Sequence, residues 1–391
     1  MSSAIVQIMD AIRLGKGNAS KKDIQETTGV AWGTMCKDVD ALLSGGYVFA
    51  RREKAQGRGR PVIPLCVNSD AAYYVGLDVG ASATRVVICN LAFNTVYMNE
   101  VPTPRYAGKE PFFAFLAEIV DTALRESRIE RDKLEGIGIS VSGSVDFEHG
   151  IIVSAGNFGL PLGENLHITD YFVERYGVGA YAVTTQAAAP AAEYNFGQMA
   201  GCDNLLTVGL GVGIGSGAVT EGQLLITRPG RPVGRIGHIG HIMIIGNQRI
   251  CVCGFRGCLE AYSGGNSLVA VAHERFPQRT DFDSARALDL AAADGDADAR
   301  SILDTAALYN AAGISNMIQI YVPDAIIFGG GQCREDGYLY QKTLEEIRNI
   351  LPRERLENIQ ISITTLGKYQ SALGAARLAY EKFFGETKKE K

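Results

Sequence analysis

The residues with the clearest chemistry are one histidine and three cysteines, His241, Cys251, Cys253 and Cys258, within eighteen consecutive positions. One imidazole and three thiolates form the Cys3His set that closes a tetrahedral structural zinc site. Glycines between these residues allow a loop tight enough for four side chains to converge on one ion. The pattern predicts structural zinc. The alternative is three buried free cysteines and a core histidine.

The composition predicts the kind of chain that must position this site. The 391 residues are 46% hydrophobic with a mean hydropathy near zero, which is typical of a globular protein of two or three domains. No apolar run approaches the roughly eighteen residues of a membrane span. The N-terminus lacks the pattern of a signal peptide, and the other five cysteines are scattered. We therefore expect a cytoplasmic protein with reduced thiols and no membrane partner.

Charge is distributed unevenly along the chain. Residues 1–64 contain ten Lys/Arg and six Asp/Glu, whereas the remainder contains 28 basic and 37 acidic residues. A small basic module on an acidic body is typical of a DNA-binding head attached to a ligand-binding domain. The charge pattern alone is weak evidence, because charged runs are usually solvated surfaces.

Three helical patterns occupy the first 45 residues. Apolar residues at helical spacing predict a first helix that ends at Gly15. Ser20 with Asp23 three residues later predicts the start of a second helix, which ends at Gly29. A third helix is predicted from about Ala31 to Ser44. A short helix, a glycine turn and another helix indicate a helix-turn-helix.

Two short strands around a basic, glycine-rich turn follow this motif and predict a wing, so that the head is a winged helix. In such a head the third helix enters the major groove and the wing contacts phosphates or the minor groove. The candidate DNA contacts are Trp32, Thr34, Lys37, Arg58 and Arg60. Helix-turn-helix folds also mediate protein contacts, which leaves a protein-binding alternative open.

From Tyr73 onwards, strands with glycine-rich turns alternate with helices, which predicts an α/β body. Two apolar hairpins, GLDVGASATRV and LLTVGLGVGIGSGAV, repeat the same pattern in the two halves of the body. Glycine turns after strands can present backbone N–H groups to phosphates. The repetition predicts a duplicated, two-lobed fold with a ligand cleft between the lobes.

These segments, together with NFG, GHIGH, CVCGFRGCLEAYSG, PDAIIFGGGQ and LGKYQSALGAA, resemble the ROK family of repressors, uncharacterised reading frames and sugar kinases. The resemblance implies an actin-like ATPase fold of two RNase-H-like lobes, a sugar pocket beside the zinc loop, and dimers or tetramers. The domains it predicts are a winged helix (1–68), a first lobe (73–185, completed by 370–391) and a second lobe (186–369) that carries the zinc loop.

Within this resemblance, three departures from the pattern of the family's kinases predict that the body is not a kinase. Family kinases carry an Asn-Asp pair at a strand end, with Asp as the base, and Thr184-Thr185 occupy that place here. Loss of a general base typically costs about 10²–10⁴ in rate. The ten-residue spacing to Cys251 places His241 at the family histidine, so His238 replaces a family glutamate; the overlapping GRIGH would place Arg235 there instead. The first glycine turn also reads Gly-Ala-Ser-Ala where kinases favour Gly-Gly-Thr-Lys.

The resemblance also supplies candidate effector contacts. The six candidates are Asn157, Thr184, Thr185, His238, His241 and Glu260. Plainer roles are open for three of them: Asn157 as a turn residue, Glu260 as an acid at a helix start, and His238 as an ordinary surface or core histidine.

Together these patterns predict a sugar-responsive transcriptional regulator, most simply a repressor that binds an operator as a dimer and a sugar without phosphorylating it. Imidazole in place of a carboxylate would favour an acidic or phosphorylated sugar. The first alternative is an ATP-dependent sugar kinase with an appended winged helix. The second is a protein-interaction module whose effector is a phosphotransfer component.

Overall fold

The computed structural model describes residues 3–51, 63–105, 108–154, 165–226, 238–244, 246 and 248–386. The chain divides into two compact units. Unit 1 comprises Met1–Val183 together with Ala372–Lys391, and unit 2 comprises Thr184–Ser371. This division assigns the first 68 residues to unit 1, so their separation as a domain stays a prediction.

Three short helices and a two-stranded ribbon, which we call the head, open unit 1. They are α1 (Ala4–Leu14), α2 (Lys21–Thr28), α3 (Trp32–Ser44) and the antiparallel strands β1 (Val48–Ala50) and β2 (Leu65–Val67). Helix α2 begins with a capping box, because Ser20 and Asp23 each accept the backbone N–H of the other. It ends at Gly29, whose φ of 65° suits a residue without a side chain. The predicted helices and strands of the head are confirmed.

The head has its own apolar core, built from one face of each helix. The buried apolar side chains of its helices and strands are Ile5, Val6, Ile8, Met9, Ala11, Ile12, Ile24, Met35, Val39, Leu42, Val48 and Leu65. The sequence also predicts Leu43 on the buried face of α3, where the structure leaves it half-buried. This side chain lies at the edge of the buried stripe, since Leu42 and Val39 fill its centre.

Unit 1 continues into a five-stranded sheet flanked by helices. The strands are β3 (Tyr73–Val79), β4 (Ala83–Asn90), β5 (Thr95–Pro102), β6 (Leu134–Val141), β7 (Ser144–Asp146), β8 (Ile151–Ser154), β9 (Leu166–His167) and β10 (Gly179–Thr184). The five-stranded sheet has the order β10-β6-β3-β4-β5, and β7-β8-β9 form a separate small sheet. The helices that precede unit 2 are α4 (Lys109–Ser127) and α5 (Ile168–Tyr176).

Unit 2 repeats this strand arrangement. Its strands are β11 (Leu205–Leu210), β12 (Ile214–Thr220), β13 (Gln223–Leu224), β14 (Ala325–Gly329) and β15 (Gln360–Ile363). Its helices are α6 (Thr185–Phe196), α7 (Glu260–Ser263), α8 (Gly265–Arg275), α9 (Ala285–Ala293), α10 (Ala297–Tyr321), α11 (Tyr338–Ile350) and α12 (Arg353–Leu356). The sheet order is β13-β12-β11-β14-β15.

The two sheets have the same topology. In each, three consecutive strands follow one another across the sheet, and the next two strands extend it beyond the first. The first two strands of each sheet are antiparallel, and the fourth strand pairs in parallel with the first. The predicted α/β class with two similar halves is therefore confirmed.

The last helix, α13 (Gln370–Glu386), packs closely on the sheet of unit 1. A Cβ at Gly76 or Gly138 would lie 1.9 Å from the carbonyl oxygen of Ala372 or Ala375, so only glycine fits on the strands beneath the helix. Among the described residues, no helix is both long and apolar enough to cross a membrane.

Candidate functional site

The histidine and three cysteines predicted as metal ligands converge in unit 2. His241, Cys251, Cys253 and Cys258 each offer one ligand atom, and the four atoms lie within 4.8 Å of one another. The Nδ1 atom of His241 is 3.7 Å from the Sγ atom of Cys251, and the Sγ atoms of Cys253 and Cys258 are also 3.7 Å apart. A tetrahedron with metal–sulfur bonds of about 2.3 Å has edges of about 3.8 Å. The donor set therefore fits a tetrahedral metal ion.

Backbone hydrogen bonds fold this stretch into the required shape. We call the described residues of 238–259 the metal segment. The N–H of Cys251 donates to Phe255, and the N–H of Gly254 donates back to Cys251, which makes a tight turn around Cys253. Gly254 and Gly257 have φ values of 88° and 77°, in the region that favours glycine. These two glycines bring three cysteines to one point.

The electrostatics of the cluster also favour a cation. Burial, together with the neighbouring Cys253 and Cys251 thiols, raises the pKa of Cys258 to about 12. Burial likewise raises the pKa of Cys251. Without a positive charge these thiols stay protonated, and a bound metal ion reverses this by stabilising the thiolates.

The β11–β12 hairpin turn lies beside the metal segment. Glu260, the first residue of α7, accepts the N–H of Ile214 at 2.8 Å. A Cβ added at Gly213 would lie 2.5 Å from the Oε2 atom of Glu260, and one at Gly240 would lie 2.4 Å from the carbonyl oxygen of Ile214. Glycine at these two positions lets Glu260 and the start of the metal segment both approach the turn.

Thr184 and Thr185 lie at the junction between a strand and a helix. Thr184 is the last residue of β10 and Thr185 is the first residue of α6. Thr184 is buried in an extended conformation, and its side chain does not cap the helix. The next residue, Gln186, lies against the same hairpin, 2.8 Å from a Cβ added at Gly215. The structure thus brings the start of α6 close to the hairpin turn and Glu260.

The rings of His238 and His241 are stacked, with centroids 5.5 Å apart and planes 16° apart. Both residues are half-buried. His241 belongs to the cluster of possible metal ligands, whereas His238 lies three residues outside it. This arrangement places the imidazole of His238 next to a possible metal ligand.

Sequence reasoning missed two glutamines at this hairpin. Gln332 donates from Nε2 to the carbonyl oxygen of Gly211, and its Oε1 atom is buried without a hydrogen-bond partner. The Oε1 atom of Gln186 is likewise buried without a partner. Their positions gave a signal, because Gln186 follows the threonine pair and Gln332 follows a glycine triplet.

In unit 1, the first glycine hairpin carries a buried acid, Asp78, that sequence reasoning also missed. Burial raises the pKa of Asp78 to about 6, although Arg85 and Ser140 act to lower it. Arg85 donates to Asp78 at 3.3 Å and to Glu100 at 2.7 Å. Asp78 is therefore held by its neighbours at the end of β3, next to the turn that begins at Gly80.

The candidate DNA contacts divide into two groups. Trp32, Thr34 and Lys37 are exposed in the first half of α3, and the side chain of Trp32 is 49% exposed. Arg58 and Arg60, like the candidate effector contact Asn157, lie outside the described residues.

Comparison with known protein families decides the relationship of the chain. The model of the ROK family matches residues 74–382, which is most of the chain. The chain belongs to the ROK family. The match covers the sheets of both units and the metal segment, and leaves the winged-helix region outside it.

Two ROK relatives match different lengths of the chain. The xylose repressor of Caldicellulosiruptor bescii is 22% identical over 91% of this chain and 90% of its own length. The glucokinase of Thermotoga maritima is 30% identical over 80% of this chain and 98% of its own length. The chain thus has ROK relatives that are repressors and ROK relatives that are glucokinases.

A solved structure of similar shape is that of a ROK family transcriptional regulator described as a homologue of the Escherichia coli Mlc protein. It superposes with a TM-score of 0.80, is 22% identical, and covers 98% of both chains. The likeness extends over the whole chain, so the fold of a ROK regulator, with an N-terminal helical region before an actin-like ATPase body, is also the fold of this chain.

Proposed function

We propose that the chain is a transcriptional regulator that binds operator DNA through its winged helix and a sugar or sugar derivative through its body. The observation that carries this proposal is the head. Residues 3–51 and 63–67 form a helix-turn-helix with a two-stranded ribbon, and this region precedes the part of the chain that the ROK family model matches. The match to the glucokinase covers 98% of that enzyme but only 80% of this chain. The match to the repressor covers 91% of this chain.

DNA binding rests on the exposed residues of α3 and the wing. Trp32, Thr34 and Lys37 present one apolar, one hydroxyl and one cationic group at the start of the helix that would enter the major groove. Arg58 and Arg60 of the wing would contact phosphates or the minor groove. The operator would be bound by a dimer or tetramer of the chain.

The absence of phosphoryl transfer rests on the start of α6. A sugar kinase needs a base on the attacking hydroxyl, and Thr184 and Thr185 offer only hydroxyl groups at the place where family kinases carry Asn-Asp. A threonine hydroxyl can still hydrogen-bond a sugar. We therefore infer that Thr184, Thr185, His238, His241 and Glu260 bind the effector without phosphorylating it, while Asn157 stays a candidate contact outside the described residues.

Zinc is the metal that we propose for the cluster of His241 and three cysteines. Four protein ligands, two pairs of which lie 3.7 Å apart, leave no open position for a substrate, which is the pattern of a structural site. The ion would hold the metal segment beside Glu260 and shape the sugar pocket. Elemental analysis of protein purified without added metal should find one zinc per chain. Its absence would contradict the proposal.

DNA binding can be tested with a gel shift against the promoter DNA upstream of the chain's own reading frame. We expect Lys37→Ala to weaken binding, and Lys109→Ala, a change at an exposed lysine of α4, to leave it unchanged. Arg58→Ala and Arg60→Ala should weaken binding to every duplex and lower its salt dependence, as loss of phosphate contacts does. A protein that binds no duplex at any salt concentration would refute the regulator proposal.

A second candidate function, a ROK sugar kinase, is favoured by the 30% identity to the glucokinase. A coupled assay with ATP and a panel of hexoses and N-acetylhexosamines separates the two. We expect no turnover. Sugar phosphorylation that disappears on Thr185→Ala would establish the kinase.

A thermal-shift screen of neutral and anionic sugars, including xylose and glucose, would identify the effector class, because a ligand that binds the native state raises Tm.

A further inference from the structure

Helix α1 of the head contacts the last helix of the chain through a buried ion pair. The guanidinium of Arg377 on α13 donates to both carboxylate oxygens of Asp10 on α1, at 2.7 and 2.5 Å. The side chain of Arg377 is only 2% exposed, and Asp10 is 20% exposed. The Nε atom of Arg377 donates to Glu381 at 2.8 Å, so three of its donors are used.

Aromatic side chains surround this guanidinium. It lies 4.8 Å from the ring centroid of Tyr380 and 5.6 Å from that of Phe93. The guanidinium of Arg13, one turn after Asp10 on α1, also lies near Phe93, 5.7 Å from the centroid of its ring. Planar stacking and a two-pronged ion pair are properties of arginine that lysine does not share.

A second contact joins the head to α13 between α3 and β1. Tyr47, which follows α3, packs edge-on against Phe384 and Phe383 of α13, with ring centroids 5.4 and 6.0 Å apart. Its hydroxyl is also hydrogen-bonded to Glu135 of β6. Helix α1 and Tyr47, two separate parts of the head, therefore both contact α13.

We propose that Arg377 is a positioning residue for DNA recognition, which holds α1, and through it α3, in the orientation that the operator requires. The inference rests on the proposed DNA-binding function. Helix α1 packs directly on α3, the helix that carries Trp32, Thr34 and Lys37. A clamp on α1 therefore sets the direction in which these three side chains point.

The charge and burial of the pair explain why the clamp is strong and specific. Burial by itself lowers the pKa of Arg377, but the charges of Asp10 and Glu381 more than offset this and raise the pKa above its ordinary value. Removal of one partner leaves the other charge with weaker compensation, from Arg13 for Asp10 or from Glu381 for Arg377, whereas removal of both partners is often tolerated. This asymmetry provides a way to separate positioning from stability.

The experiment compares three variants of the full chain in DNA binding and in denaturant unfolding. Arg377→Met should weaken binding to the chain's own promoter duplex on the order of a hundredfold and also lower stability. The double variant Asp10→Leu/Arg377→Met should recover stability but keep DNA binding weakened at least about tenfold, because the orienting contact is absent. Arg377→Lys, which keeps the charge and loses the fork, should bind with intermediate affinity.

The matched control is Arg175→Met, which cuts an exposed arginine–aspartate pair (Arg175–Asp121) in the same unit. It should leave DNA binding unchanged, since exposed pairs contribute little. A double variant that binds DNA as tightly as the unmodified chain would show that the pair only stabilises the fold, and would overturn the inference. Failure of the unmodified chain to bind any duplex would instead refute the proposed function itself.

Discussion

The head and the metal segment differ in how far their apolar side chains are buried. The three helices and two strands of the head bury twelve apolar side chains, among them Ile8, Met9 and Ile12 with no exposed surface. Within the described part of the metal segment, Ile239 and Leu259 are buried in the core of unit 2, but four large apolar side chains lie exposed. These are Met243, Ile250, Val252 and Phe255, which are 60–83% exposed.

This difference shows two routes to a fixed shape. Apolar burial stabilises the head in proportion to the area removed from water, at roughly 25 cal/mol per Å². Between Ile239 and Leu259, which belong to the core of unit 2, the metal segment brings together four possible ligand atoms. Its shape should therefore depend on the ion, whereas the shape of the head should not.

Metal removal tests this contrast with the largest expected effect. Structural zinc contributes about 10–16 kcal/mol to the folding of small zinc-dependent peptides. We expect a strong chelator to make the three ligand cysteines reactive in a thiol titration, while the fluorescence of Trp32, the only tryptophan of the chain, stays unchanged. A parallel change in Trp32 emission would show that the head also depends on the metal.

The variant Cys251→Ser makes the same test without a chelator. It should lower the zinc content measured by elemental analysis and expose Cys253 and Cys258 to the thiol reagent. Its matched control is Cys66→Ser, because Cys66 lies in the head and outside the ligand cluster. This control should retain the full zinc content.

A core substitution in the head should have the next largest effect. Ile12→Ala removes a fully buried side chain and leaves a cavity, so we expect a loss of about 2–5 kcal/mol in the free energy of unfolding. Denaturant unfolding followed by Trp32 fluorescence measures it. Leu14→Ala in the same helix is the control, since Leu14 is 64% exposed and should cost at most about 0.5 kcal/mol. Equal losses in the two variants would argue against the described core.

The cap of α2 should make a smaller contribution. Ser20→Ala removes the acceptor for the N–H of Asp23, which we expect to cost about 1 kcal/mol, measured by the same fluorescence. The Ser20 N–H that Asp23 accepts, together with the Ser20 hydroxyl, lowers the pKa of Asp23. Because the folded-state pKa is lowered, this contribution is present above the ordinary pKa of 3.8 and is lost as pH falls through the lower value. An Asp23→Ala effect on stability that is unchanged at low pH would contradict the reciprocal cap.

An exposed apolar residue of the metal segment should matter least. Val252 is 83% exposed, and Val252→Ser should change the free energy of unfolding by no more than about 0.5 kcal/mol and leave the zinc content intact. Leu259→Ala in the same segment is the contrasting variant, because Leu259 has no exposed surface and packs in the core of unit 2. A large loss from Val252→Ser would show that the segment has an apolar core after all.

Much of the head could be predicted because its signals are local. The stripe of Ile5, Ile8, Met9 and Ile12, the Ser20 cap and the Gly29 stop each act within one or two helical turns, and the structure forms the helices that they predict. The possible metal ligands could also be predicted from the sequence, since Cys251, Cys253 and Cys258 are close in the chain and only a few ligand sets suit a metal.

The environment of the hairpin turn in unit 2 could not be predicted in the same way. Glu260 is 46 residues from Ile214, to which it is hydrogen-bonded, and Gln332 is 121 residues from Gly211. Family resemblance singled out Glu260 as an effector contact, but the hydrogen bond to the hairpin came from the fold. Neither glutamine at the turn carries a charge or a metal-binding group that would have drawn notice in the sequence.

The sequence by itself determined the helices of the head, the α/β alternation, the ligand set of the metal segment and the family, because these depend on periodicity, turn chemistry and short spacings. Only the tertiary structure decided that Asp10 meets Arg377, a residue 367 positions away. Nothing local to either residue selects that partner. The pair forms because the folding of unit 1 brings the first and last helices of the described chain together. A guanidinium that is buried between them is stable only when a carboxylate compensates its charge.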